Sequence, residues 1–334
     1  MANCHDLFLD FNSTIRLSES KRKSLKLSRH ELRRKIRRYF KENEKDGIMP
    51  KFSGQGSFMM DSIINPIPRK EIEGNTVKYL YFYDIDDGIY FIGNLETKTR
   101  YSIQTYHNWI YDAVDGHTDT PPIDKNTCVR VLFSDGHNID LPIYYKQGDT
   151  PELAHKAKSW LESDPLKFSQ WFNEKAEINP QLRRIVRYLK TWSDYRQYCN
   201  TSKPMPSGLI LTILAANHYY RHDRDDISLK ETLVSIEAAL RVNFRCERPT
   251  TPAGENLLSK YTQEEYFMGS LRQFISNAKL AIEEKNQKKG CEYWQKSLGD
   301  RFPCHLAKDE EQRNIAVSGL VMGAANSKPY GTII

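Results

Sequence analysis

Three aspartates constrain this chain more than any other feature. Asp84 and Asp86 stand in Tyr83-Asp84-Ile85-Asp86-Asp87-Gly88, and Asp140 stands in Asn138-Ile139-Asp140-Leu141-Pro142. Side chains alternate along a strand, so Asp84 and Asp86 share one face while Ile85 points into a core on the other. Two carboxylates on one face repel unless a cation lies between them. A third carboxylate from an adjacent strand makes a cage suited to two Mg²⁺ ions, with Mn²⁺ as a substitute. Such ions, about 3.5–4 Å apart, clamp the attacking and leaving oxygens of phosphoryl or nucleotidyl transfer. A solvated acidic loop is the bland alternative. It fits poorly, because the strand leading into the run is aromatic and Asp140 lies between Ile139 and Leu141, where a polar group needs a partner or a metal.

The surrounding pattern predicts how the three meet. Val77 to Ile92 reads as one strand, dense in Tyr, Phe and Ile. Cys128 to Phe133 reads as a second. Ser134-Asp135-Gly136-His137 is a tight turn with the Asp-Gly signal, and Asn138 to Tyr144 returns as the paired strand carrying Asp140. Upstream, Ser18 predicts an N-cap for a helix running to about Lys45, stopped by Asp46-Gly47 and Pro50. Its buried stripe is Leu25, Leu32, Ile36, Tyr39 and Phe40. Pro66 to Asn75, rich in Pro and charge, reads as a loop.

From Pro151 the pattern turns helical. Asp149-Thr150-Pro151-Glu152 predicts a helix start. Leu182, Ile185, Val186 and Leu189 recur at helical spacing, as do Leu209, Leu211, Leu214 and Ala215. The expected architecture is α+β in two parts: residues 1–150, a sheet core with a long N-terminal helix, and residues 151–334, an α-helical domain closing a cleft. Clefts between domains are usual ligand sites.

Composition narrows the class. Hydrophobic residues make up 39% and charged residues 28%, as in a soluble globular protein. No apolar run approaches the roughly 18 residues of a membrane span. Met1 to Asp6 shows no signal-peptide pattern. Cys4, Cys128, Cys199, Cys246, Cys291 and Cys304 lack paired spacing and read as free thiols in a reducing cytoplasm. Cys291, Cys304 and His305 have no C-x-x-C beside them to make a zinc site. The net charge of +6 is uneven, with eleven Lys and Arg between Lys21 and Lys41. That run is either the solvated face of a long helix or a surface for nucleic acid or polyphosphate.

Three further features suit a nucleotide. The turn Gly54-Gln55-Gly56-Ser57 offers backbone N–H groups and a hydroxyl to a triphosphate tail. Lys190 shares a helical face with Arg183 and Arg187 and reads either as a triphosphate ligand or as a surface lysine. Pro206-Ser207-Gly208 opens the next helix, where a hydroxyl and free N–H groups favour an anion, or where Ser207 is a plain N-cap.

These residues resemble a known family, the cGAS/DncV-like nucleotidyltransferases (CD-NTases) of bacterial CBASS anti-phage systems, and within it the DncV-like subgroup. Gln55-Gly56-Ser57-Phe58 is similar to the subgroup's QGSF turn, and Asp84-Ile85-Asp86-Asp87-Gly88-Ile89-Tyr90 to its DIDDGxY strand. His137 to Tyr144 resembles the third-aspartate strand, Trp160 to Pro165 the SDP segment, and Leu182 to Trp192 the basic spine helix. The resemblance implies a polymerase-β-like nucleotidyltransferase sheet packed on a helical domain. It implies a metal-dependent synthase of a cyclic dinucleotide, a cyclic GMP-AMP made from ATP and GTP. Asp84, Asp86 and Asp140 would hold two Mg²⁺ ions, and Gln55, Gly56 and Ser57 the donor's phosphates. Lys190 and Ser207 would meet the triphosphate from the helical side. Arg130 would reach the acceptor nucleotide and Tyr144 border a base. A bacterial cytoplasmic enzyme of this kind implies operon partners, such as a conjugating ligase or a sensor protein, and no requirement for nucleic acid. Two other functions compete: a template-independent RNA tailing enzyme, and a nucleic-acid-binding protein with a degenerate site. Two departures stand out. The stretch between Ser57 and Asp84 is longer than usual, and the chain ends Tyr330-Gly331-Thr332-Ile333-Ile334 where conjugated members end in a small residue.

Overall fold

The computed structural model describes residues 1–43, 45–74, 76–93 and 100–309. The C-terminal residues Tyr330 to Ile334 lie outside them. The chain is α+β, with two hydrophobic cores side by side.

The first core lies under a mixed sheet. Its strands are β1 (Lys51–Gln55), β4 (Tyr83–Ile92), β5 (Ile123–Asp124), β6 (Cys128–Leu132) and β7 (His137–Lys146), in the order β1-β4-β7-β6-β5. β6 and β7 form the expected antiparallel hairpin, and β7 runs parallel to β4. Ile85, Ile89, Val129, Ile139, Leu141 and Ile143 line the face away from the aspartates. That face is covered by α4 (Ile103–Val114) and by α2 (Glu19–Glu42). Ser18 caps α2, its side chain accepting from Lys21 N at 3.2 Å. Leu25, Leu32, Ile36 and Phe40 are buried as the stripe required, and Tyr39 packs at the margin.

Much of the basic run on α2 serves packing. Arg33 grips the fully buried Asp87 with two hydrogen bonds, Nε to Oδ2 at 2.7 Å and Nη2 to Oδ1. Arg22 and Arg29 lie over the Phe58 ring, and Arg33 and Arg37 over Phe52. Asp87 thus faces α2 while Asp84 and Asp86 face the other way, as alternation demands.

The second core is helical. It joins α1 (His5–Ile15) with α5 (Pro165–Ile178), α6 (Gln181–Cys199), α7 (Gly208–His218), α8 (Asp225–Val242), α9 (Glu264–Glu283) and α10 (Gln287–Leu298). Phe8 and Phe11 pack edge-on against Tyr188, Trp294 and Phe302 or stack on them. The first helix of the chain therefore belongs to the last core.

Four sequence expectations are corrected. No helix starts at Asp149–Glu152. Instead β8 (Glu152–His155) and β9 (Ser159–Glu162) extend the sheet from the end of β7, with Tyr144 opposite Leu153. The helix begins at Pro165, where the Asp164 side chain accepts from Lys167 N. The segment from Pro66 is not all loop, and Val77 to Ile92 is not one strand. β2 (Arg69–Glu73) and β3 (Thr76–Leu80) pair as a separate hairpin ahead of β4. Finally, Cys291 and Cys304 form a disulfide. A short turn, Cys304–Leu306, folds back against α10 and brings the two sulfurs together, a contact that residue spacing does not reveal. No helix among the described residues is long and apolar enough to cross a membrane.

Candidate active site

One line of residues crosses the sheet. In register, Gln55 on β1 lies opposite Asp86 on β4, Asp86 opposite Asp140 on β7, and Asp140 opposite Arg130 on β6. Residues paired across strands point to the same face. Asp84, two positions before Asp86, joins them there, and its neighbour Asn138 donates to Asp84 Oδ1 at 3.0 Å. All three aspartates are therefore together.

Two basic side chains offset part of their charge. Arg130 donates to Asp140 through Nε at 2.6 Å and Nη2 at 2.7 Å, and to Asp84 through Nη2 at 2.8 Å. The hydrogen bonds to Asp140 hold its guanidinium more firmly protonated than usual. Lys125 Nζ lies 3.8 Å from Asp140 Oδ2. Burial, and then the carboxylates of Asp140 and Asp84, push the Asp86 carboxyl up to about 7, against the pull of Arg130 and Lys125. Among the described residues no three acidic, His or Cys side chains stand ready-made around one metal position. Arg130 accounts for this by drawing Asp84 and Asp140 onto itself. The donor set nevertheless fits hard divalent cations: all-oxygen, three carboxylates, and an excess of negative charge that a cation must balance.

The Gly-Ser turn sits against this row. Gly56 leads a one-turn helix, α3 (Gly56–Met59), at φ +69°, a left-handed conformation that favours glycine. A Cβ there would collide with Asp86 Oδ2, so the turn needs glycine twice over. The Gln55 side chain is buried and engaged elsewhere. Its Nε2 donates to Tyr144 Oη at 3.2 Å, and Tyr90 Oη donates to its Oε1 at 3.3 Å. Tyr144 stacks on Tyr90 with ring centroids 4.7 Å apart and is itself buried, so it supports the turn rather than bordering a base.

A cleft of about 740 Å³ opens beside the carboxylates. Gln55, Gly56, Ser57, Asp84 and Asp86 line its sheet side, and Lys190, Ser207 and Gly208 its helical side. Ser207 caps α7, accepting from Ile210 N. Gly208 lets Lys190 lie close, since a Cβ there would stand 3.3 Å from Lys190 Cε. Burial and the nearby Arg187 push the Lys190 amine down to about 7, against the pull of Asp86. Arg183, Arg187 and Lys190, read as one basic face, all turn to main-chain carbonyls: Arg183 Nε donates to Met60 O at 3.3 Å, Arg187 Nη1 to Asp61 O and Lys190 Nζ to Ser62 O at 3.1 Å.

Sequence reading missed three contributors. Asn138 could have been found, because alternation puts it on the face of Asp140. Lys125 and Asp61 carry no local signal and enter only through tertiary placement.

The chain is similar to known proteins. Residues 50–144 match the family described as cyclic GMP-AMP synthase DncV-like, nucleotidyltransferase domain. The chain is 27% identical over 222 residues to a cyclic GMP-AMP synthase of Escherichia albertii, covering 64% of this chain and 46% of the relative. It is 28% identical over 177 residues to a cyclic AMP-AMP-AMP synthase of Acinetobacter sp., covering 50% of each. The chain thus spans about half the length of the curated relatives it matches. Its fold is that of Vibrio cholerae DncV. The structure of that cyclic AMP-GMP synthase with nonhydrolyzable GTP superposes with a TM-score of 0.74 at 18% identity, over 90% of this chain and 97% of that one. A second structure of it, holding the linear intermediate pppA(3′,5′)pG, gives 0.74 at 18% identity, over 92% and 99%.

Proposed function

We propose that this chain, a DncV-like nucleotidyltransferase by its domain family, joins nucleoside triphosphates into a cyclic dinucleotide, releasing pyrophosphate at each of two steps. One observation carries the reading. Asp84 and Asp86 line a cleft with Ser57 on one side and Lys190 and Ser207 on the other, and Asp140 stands opposite Asp86 on the neighbouring strand.

Divalent-metal dependence is general to DncV-like nucleotidyltransferases. Here Asp84, Asp86 and Asp140 would hold two Mg²⁺ ions, with Mn²⁺ as a substitute. When bound, these ions lower the pKa of the acceptor hydroxyl and neutralise the departing pyrophosphate. The chain's own groups do the rest. Ser57 and the backbone of Gln55 and Gly56 hold the donor's phosphates. Lys190 and Ser207 grip the triphosphate from the helical side and fix it for in-line attack. Asp140 takes the acceptor's proton, and Arg130 reaches the acceptor nucleotide. The linear product then turns within the same cleft and closes on itself, so no template is needed.

The substrates are ATP and GTP and the product is a cyclic GMP-AMP, on the likeness to relatives of that name. The setting is anti-phage signalling in a bacterial cytoplasm, with operon partners such as a conjugating ligase or a sensor protein. The test is incubation with all four nucleotides and Mg²⁺, with and without RNA, followed by phosphatase and mass spectrometry. A phosphatase-resistant cyclic product is expected. Phosphatase-sensitive linear oligomers, or extension of the RNA, would give the tailing reading instead.

A further inference from the structure

Below the Gly-Ser turn the chain makes an unusual junction. α3 is a single turn, too short to be stable alone, and its last carbonyls have no partners within it. Basic side chains from two elements, α2 and α6, meet the carbonyl of Phe58 and the three carbonyls that follow the helix. Arg22 of α2 donates to Phe58 O at 3.3 Å. Arg183, Arg187 and Lys190, on one face of α6, donate in turn to the carbonyls of Met60, Asp61 and Ser62. Three successive carbonyls thus meet three successive rungs of one helix. Ser62 N in turn donates to Ser57 O at 3.0 Å, so the last rung bears directly on Ser57.

Asp61 stands at the centre. Its backbone is left-handed, φ +49°, a region Asp and Asn enter far more readily than other side chains. Its carboxylate accepts from Arg16 at 3.0 Å and from Arg22, and lies 3.8 Å from Arg187. Arg187 is almost fully buried, and its Nε donates to Asn12 Oδ1 at 2.9 Å. Without Asp61 three guanidinium groups would crowd one corner with no counter-charge.

We propose that Asp61 is a positioning residue. It gathers Arg16, Arg22 and Arg187 on the far side of the Gly56–Ser57 turn and so fixes Ser57 against the nucleotide cleft. The proposal rests on the reading that Ser57 holds the donor's phosphates.

The test is a double-mutant cycle on binding of a nonhydrolysable ATP with Mg²⁺, measured well below each variant's melting temperature. Asp61→Asn keeps the backbone conformation and removes the charge. We expect it to weaken binding about tenfold, within the range of couplings in one hydrogen-bond network. In a Ser57→Ala background the same change should cost less than about twofold. Arg16→Gln, at a half-exposed side chain, is the milder second variant and should show a smaller loss with the same coupling. Equal losses in both backgrounds, or a lower melting temperature with unchanged affinity, overturn the positioning role while leaving the Ser57 reading intact. If Ser57→Ala alone leaves affinity unchanged, the underlying reading fails, and the proposal with it.

Discussion

Asp86 and Asp140 stand directly opposite each other on parallel neighbours, β4 and β7, with their carboxylates on one face. Parallel neighbours bring like charges into register only where something else holds them. Here that is Arg130 on one side and, on the other, an Asp86 carboxyl that keeps its proton up to about 7. The folded protein binds a proton at Asp86 that the unfolded chain releases near 3.8. Stabilisation from this group is complete below 3.8 and is lost as pH rises through about 7. In EDTA, the wild-type melting temperature should therefore fall between pH 4 and 7 more steeply than that of Asp86→Asn. The same variant should lose at least about a thousandfold in turnover with Mg²⁺, roughly 4 kcal/mol of barrier. Near-normal turnover in a folded Asp86→Asn protein would remove Asp86 from the metal site.

The legible part of this site was the part set by strand period. Alternation alone puts Asp84 and Asp86 on one face, Ile85 and Asp87 on the other, and the Asp135-Gly136 turn returns Asp140 to the sheet. What stayed hidden depends on register and tertiary contact. Arg130 meets Asp140 only because the β6–β7 hairpin pairs them, and the side chain of Gln55 turns to Tyr90 and Tyr144 only because β1 lies against β4. Pro151-Glu152 looks like a helix start, but the edge of β7 beyond Pro142, left open by β6, captures Glu152 and Leu153, and β9 pairs with Glu152 to His155 from the other side. Arg183 and Arg187 share a face with Lys190 as spacing requires. What they grip is a loop some 120 residues away, which no local pattern encodes.

Lys190 should report nucleotide binding as a proton. Its amine, pushed down to about 7, is mostly neutral at pH 8.5 in the free protein. A triphosphate beside it favours the charged form, so binding at pH 8.5 must take up a proton. Asp86 is already ionised at that pH and contributes little. Calorimetric titration with Mg²⁺-ATP in two buffers of different ionisation enthalpy should give different apparent enthalpies, and Lys190→Met should remove the difference. Equal enthalpies for the wild-type protein would exclude Lys190 as the phosphate ligand.

Arg130 competes with metal. Its guanidinium holds Asp84 and Asp140 at 2.6–2.8 Å. Arg130→Gln leaves three carboxylates facing one another with Lys125 as their remaining basic neighbour, so a cation is held more strongly. Mn²⁺ binding without nucleotide, followed by the free-ion EPR signal, should tighten by about tenfold, a modest share of the attraction between charges about 4 Å apart near a protein surface. Unchanged or weaker Mn²⁺ binding would show that Arg130 does not stand in for the ions.

The basic helix divides into two kinds of arginine. Arg33 is joined twice to a carboxylate with no exposure, whereas its neighbour Arg34 is exposed. Removing one partner of a buried pair leaves the other charge stranded, at a cost of about 3–5 kcal/mol. Exposed charges away from such features change stability by about 0.5 kcal/mol or less. Arg33→Ala should therefore lower the denaturation midpoint severely, and Arg34→Glu hardly at all. Arg37 is intermediate in kind, exposed but lying over Phe52. If the helix is a brace for the sheet, Arg34→Glu with Arg38→Glu should keep full synthase activity, and added DNA or RNA should change the rate of neither protein. Both arms come from one assay of product formation with and without duplex. A duplex-stimulated rate that the double variant loses would make this face a nucleic-acid surface and overturn the reading of α2 as a brace.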